Sequence, residues 1–127
     1  MRTVILDMQS ELYGAAICRL ISQELSDVSV VVSLSPEETI DKARALKPVT
    51  VLMDITDYSP RRPEDREDQI GRLQKSCPDC KAIFIVDDYA PEKIVNGVKR
   101  AKQQGSIESF IFTSATDNYL VAVLDSI

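Results

Sequence analysis

A chain of 127 residues is the length of one compact domain, with room for a single core and not for two. It carries 20 acidic against 15 basic residues, a net charge of −5, so no long-range attraction draws it to nucleic acid or to an anionic membrane surface. Histidine is absent, and with it go the commonest general base, the Ser-His and Cys-His nucleophile pairs and the usual zinc ligand.

The N-terminus, MRTVILDMQ, lacks the longer apolar segment and small-residue cleavage site of a signal peptide, and no later run approaches the ~20 apolar residues that span a bilayer. A cytoplasmic protein is expected. The first strand is read at Thr3–Leu6, followed by Asp7. Leu12, Ala16, Leu20 and Ile21 mark the apolar stripe of the first helix, with Cys18 as a small core residue. A second strand at Val28–Val32 leads to Ser35-Pro36-Glu37-Glu38, an N-cap serine, a proline at the first helical position and acids in the first turn. Ile40, Ala43 and Leu46 form that helix's buried stripe, and Lys47-Pro48 stops it.

The third strand, Val49–Met53, ends at Asp54, and the loop Thr56–Pro63 leads to a polar third helix from about Glu64 to Ser76, anchored by Ile70 and Leu73. Cys77-Pro78-Asp79-Cys80 has the spacing of a redox motif, but it follows a helix and precedes a strand, where no helix N-terminus lowers a thiol pKa. A structural turn is the reading, and three cysteines in a chain without a secretion signal are expected as reduced thiols. Next come a fourth strand at Ala82–Val86 and then Asp87 and Asp88. The fourth helix opens at Pro91-Glu92, buries Ile94, Val95, Val98 and Ala101, and ends at Gly105. A fifth strand at Ser109–Phe112, Thr113 and a fifth helix from about Asp117 complete the chain.

Five nearly continuous apolar strands alternating with five helices require parallel pairing through right-handed crossovers. The expected fold is a doubly wound, flavodoxin-like α/β domain, with its ligand site outside the carboxyl ends of the strands. Asp7, Asp54, Asp87 and Asp88 gather at that edge, and an oxygen-only set of this kind suits Mg²⁺ or Ca²⁺.

The acid after the first strand, the aspartate after the third, and the phrases ALKPVTVLMDI and RLQKSCPDCKAIFIVDD resemble the receiver domain of two-component response regulators, the CheY-like family. The likeness runs over residues 1–127 and is greatest to the receivers fused to LuxR-type DNA-binding domains, so the chain is expected to be the N-terminal part of a transcription regulator. The resemblance implies that Asp54 is the phosphoacceptor for a histidine kinase. It further implies Mg²⁺ held by Asp7, Asp54 and the Thr56 carbonyl, a switch set including Asp87, Phe110 and Thr113, and a homodimer or partner interface on the fourth helix, fifth strand and fifth helix. Lys93, Lys99, Arg100 and Lys102 on that helix otherwise read as a solvated face. Its work is switching, not enzymatic turnover.

Several family positions are changed. Met8 stands where the second acid belongs, Val86 or Asp87 where a hydroxyl belongs, and Thr113 where a lysine belongs. A cluster of acids without its lysine needs compensation, because an opposite charge at ~4 Å is worth about 4 kcal/mol at an effective dielectric of ~20. Three solutions stay open: a divalent cation, a raised pKa on Asp54 or Asp87, or Arg61 or Arg62 folding back. Phosphorylation is accordingly expected to be weak or absent. The alternative is a phosphorylation-independent pseudo-receiver that serves only to dimerise or to dock a partner. The plainer readings of single residues are a loop cap for Asp54, a helix cap for Asp7 and a structural role for Thr113.

Overall fold

The computed structural model describes residues Met1–Ile127. Its elements run β1 (Arg2–Asp7), α1 (Glu11–Glu24), β2 (Val28–Ser33), α2 (Pro36–Leu46), β3 (Thr50–Ile55), α3 (Pro63–Ser76), β4 (Lys81–Val86), α4 (Glu92–Gln103), β5 (Ser109–Phe112) and α5 (Asp117–Asp125). All pairings are parallel, in the order β2-β1-β3-β4-β5, so the strand order reverses between β1 and β3.

Strand side chains alternate between two apolar layers. Val4, Leu6, Leu52, Ile83 and Ile85 pack with Ile17 and Ile21 of α1 and Leu120 and Leu124 of α5. Ile5, Val51, Met53, Phe84 and Val86 pack on the other face with Ile70 and Leu73 of α3 and Ile94 and Val98 of α4. This is the expected doubly wound sandwich. No helix is long and apolar enough to cross a membrane.

Local chemistry sets the helix starts. Ser35 Oγ accepts the Glu38 N–H at 3.1 Å with Pro36 at the first helical position, Ser10 Oγ accepts the Tyr13 N–H at 3.1 Å, and Thr116 Oγ1 accepts the Tyr119 N–H at 3.2 Å. Gly105, at φ 79°, turns the chain out of α4 while the Ser106 N–H donates back to Ala101 O at 3.0 Å.

Four expectations need correction. The buried face of α1 is Gly14, Ile17 and Ile21, whereas Leu12 is 85% exposed and Ala16 is exposed. The rotation follows from the sheet, which Ile17 and Ile21 contact, and Leu12 lies on another side of the helix. Leu46, at the last turn of α2, is 45% exposed because the chain leaves the helix there through the left-handed Lys47. β2 is not buried on both faces, since it is the sheet edge and Val32 is 46% exposed. Asp7 and Asp54 lie inside β1 and β3 and not after them, because the ladder continues through Asp7↔Ser33 and Asp54↔Ile85.

Candidate functional site at the carboxyl edge

Asp7 shares the sheet face of Ile5, which α2 and α3 cover, and it is completely buried. A buried carboxylate is tolerated only with a counter-charge and hydrogen bonds. Its Oδ2 accepts from Thr39 Oγ1 at 2.7 Å and Gln69 Nε2 at 2.8 Å, and forms an ion pair with Arg66 Nη1 at 3.0 Å. Thr39 reaches it from α2, where its hydroxyl also lies 2.6 Å from Ser33 Oγ. Ser10, not Asp7, caps α1.

Arg66 is the centre of the edge. Its side chain is fully buried, and all three guanidinium nitrogens donate: Nη1 to Gln69 Oε1 at 2.8 Å, Nη2 to Asp54 Oδ1 at 2.7 Å and to Asp7 O at 3.0 Å, and Nε to Asp54 O at 3.0 Å, while Nη1 also forms an ion pair with Asp7 Oδ2. The planar fork therefore ties α3 to β1 and β3 at once, using side-chain and backbone acceptors of both strands.

Both oxygens of Asp54 are engaged. Oδ2 accepts the Gln9 N–H at 2.8 Å, and Oδ1 lies 2.7 Å from Arg66 Nη2 and 3.4 Å from Arg61 Nε. The Asp54 side chain keeps 14% exposure. Of the two arginines expected to fold back, Arg61 does so, at longer range. Arg62 instead pairs with Asp65 at 2.9 and 3.0 Å at the start of α3, which holds the Asp65 carboxyl below the usual range. The compensating cation is thus Arg66, which the expected alternatives did not include. A signal for it existed: Arg66, Gln69, Ile70 and Leu73 share one helical face, and an arginine on a buried stripe requires a buried acid.

Asp54 borders a cavity of about 390 Å³ with Met8, Ser10, Tyr13, Thr56, Asp87 and Thr113. Burial, with the charges of Asp88 and Asp117 behind it, pushes the Tyr13 phenol up. The edge thus brings together Asp54, Asp87 and Thr113, with Asp7 beneath. Thr56 closes its own loop, its hydroxyl donating to Tyr58 O at 2.9 Å and its N–H to Arg61 O at 2.9 Å. Asp87 accepts the Tyr89 N–H at 2.8 Å, and Thr113 Oγ1 accepts the Asp88 N–H at 3.3 Å, linking the loops after β4 and β5. Phe110 is half-buried against the α4 side of the core and meets Phe112 edge-to-face at 5.9 Å. Far from this edge, Cys77 and Cys80 form the expected turn, with the Cys80 N–H donating to Cys77 O at 3.1 Å and burial pushing the Cys80 thiol up to about 12.

These residues do not fit Mg²⁺ or Ca²⁺. No group of three or more acidic, histidine or cysteine side chains converges here. Between Asp7 and Asp54 sits a guanidinium, and the one buried oxygen of the pair without a partner is Asp7 Oδ1, whereas such an ion takes about six oxygen ligands or more.

No protein-family model and no curated protein matches the sequence. Solved structures do match. A LuxR-family DNA-binding response regulator from Staphylococcus aureus superposes at a TM-score of 0.77 with 13% identity, over 99% of this chain and 98% of that one. A response regulator from Thermotoga maritima gives 0.77 with 16% identity, over 99% and 96%. A response regulator protein from Burkholderia pseudomallei, with a phosphorylated aspartic acid, calcium ion and citrate, gives 0.74 with 15% identity, over 98% and 66%. Identities this low speak for the backbone alone, and on that ground the fold of this chain is that of the CheY-like response regulator receiver domains.

Proposed function

We propose that the chain is a receiver-fold signalling module that works without phosphoryl transfer, acting by docking a partner or pairing with another copy. The observation that carries this reading is Arg66, fully buried, 3.0 Å from Asp7 and 2.7 Å from Asp54. A carboxylate attacks a phosphoryl group when a cation neutralises the phosphoryl oxygens and one carboxylate oxygen is free to approach. Here the cation is internal and spent on the carboxylates themselves, and both Asp54 oxygens already accept hydrogen bonds. The edge is held in one electrostatic state, without the family's hydroxyl and lysine to read a change.

The surface around α4 supports the docking role. Lys93, Lys99, Arg100 and Lys102 are exposed there, and a partner or second copy that meets α4, β5 and α5 needs acids to match them. A second reading, Asp54 as phosphoacceptor for a histidine kinase, draws on its partial exposure at the cavity shared with Asp87 and Thr113.

Acetyl phosphate or phosphoramidate with Mg²⁺, followed by intact-protein mass measurement, separates the two. The proposal expects no phosphate adduct on the wild type and none on Asp54→Ala. Rapid stoichiometric labelling that Asp54→Ala abolishes would overturn it, and would establish the second reading.

A further inference from the structure

An apolar groove of about 450 Å³ runs between α1 and the free edge at β2, away from the acidic cluster. Met8, Ala15, Cys18 and Leu34 line it, while Glu11 and Arg19 stand at its rim. Leu34 is 71% exposed and Leu12, on the adjoining side of α1, is 85% exposed. So large an exposure of leucines beside an apolar groove marks a contact surface and not a solvated face.

The charges say what covers it. Glu11, Ala15 and Arg19 are spaced four apart, so they form one line along α1 with Ala15 at its midpoint and the two charges about 12 Å apart. Both charged residues are exposed, and neither takes part in an ion pair within the chain. A two-fold axis through Ala15 that runs one α1 antiparallel to another sets Glu11 of each copy opposite Arg19 of the other. The same operation places each Leu12 opposite Cys18, on the wall of the other copy's groove, and small Ala15 at the crossing lets the helices approach closely. We infer that the α1 and β2 face is a self-complementary interface for a second copy of this chain: Leu12 fills the groove, and reciprocal Glu11–Arg19 pairs set the register.

A working interface of ordinary size covers about 800 Å² per partner, roughly a tenth of this chain's 6930 Å² surface, and a reversible dimer is expected. Sedimentation velocity across a concentration series tests it. Glu11→Arg and Arg19→Glu should each weaken the dimer roughly tenfold or more, because both symmetry-related pairs become repulsive. The double variant, Glu11→Arg with Arg19→Glu, should restore it to within about threefold, which a general loss of folding cannot do. Leu12→Ser should weaken it without rescue by the charge swap. Thermal melts of the same variants exclude unfolding as the cause. The inference is overturned if the chain stays monomeric at millimolar concentration, if the double variant is no better than the singles, or if dimerisation is lost on Lys99→Glu with Arg100→Glu in α4 and untouched by the α1 changes.

Discussion

Replacing Arg66 by methionine keeps an unbranched apolar stem and removes the charge and every donor. Four hydrogen bonds and the ion pair with Asp7 end at its guanidinium, and their loss leaves behind a fully buried Asp7 carboxylate, the Asp54 carboxylate, the Gln69 side-chain carbonyl and two backbone carbonyls. Breaking a buried pair from one side costs ~3–5 kcal/mol, because the remaining charge stays desolvated. A chain of 127 residues has about 6–19 kcal/mol of total stability, so Arg66→Met removes a substantial fraction and lowers Tm by roughly 10–20 °C. Urea unfolding at neutral pH measures the change, and a cycle with Asp7→Asn gives its origin. Asparagine at position 7 removes the charge that Arg66 neutralises, so the double variant should be more stable than the sum of the singles, with a coupling of about 2 kcal/mol. Divalent cations, without effect on the wild type, should stabilise Arg66→Met at millimolar concentration by taking the vacated place between the two acids. A cost below ~1 kcal/mol for Arg66→Met, or strict additivity with Asp7→Asn, would refute the account of Arg66 as an internal cation.

Asp54→Asn keeps the shape and the acceptor for the Gln9 N–H but loses the charge facing Arg66 and Arg61, and should cost about 1–2 kcal/mol in the same unfolding assay. Asp65 is held below its ordinary 3.8 chiefly by the hydrogen bond from the Arg62 side chain. A depressed folded-state pKa means that its contribution is complete above the unfolded value and is lost as pH falls below about 4. Asp65→Asn should therefore lower stability at pH 7 and flatten the decline below about pH 4, measured by thermal melts across pH. Iodoacetamide at pH 8 should alkylate the dilute, monomeric native protein at the half-buried Cys18 alone, since Cys77 and Cys80 are buried and burial pushes the Cys80 thiol up to about 12; native labelling of Cys80 at the rate of a free thiol would contradict the packing. Gly97→Val should destabilise by roughly 1–3 kcal/mol, because a Cβ at Gly97 already meets Pro63 at 3.2 Å where α4 crosses the start of α3.

The alternation of strands and helices, the caps at Ser35 and Gly105, and the placing of Asp7 and Asp54 at the carboxyl ends of neighbouring strands were all legible in the chain, because each depends on local periodicity or on topology that periodicity enforces. Met8, Val86 or Asp87, and Thr113, which the resemblance sets where a receiver keeps an acid, a hydroxyl and a lysine, are likewise visible one residue at a time, and they raised the expectation of a missing charge. Where the charge comes from was not visible. Arg61, Arg62 and Arg66 are equally basic in the sequence, but only the packing of α3 against β1 and β3 puts Arg66 within 3.0 Å of both carboxylates, while Arg62 is taken by Asp65 three residues away. The same holds for α1. A stripe of Leu12, Ala16 and Leu20 has as good a helical period as the one that is buried, and the rotation of the helix is chosen by the contacts of Ile17 and Ile21 with the sheet, leaving Leu12 outside. Period and composition are properties of neighbours along the chain. The partner of a buried charge, and the side of a helix that faces the core, depend on groups dozens of residues away, which come together only when the sheet forms.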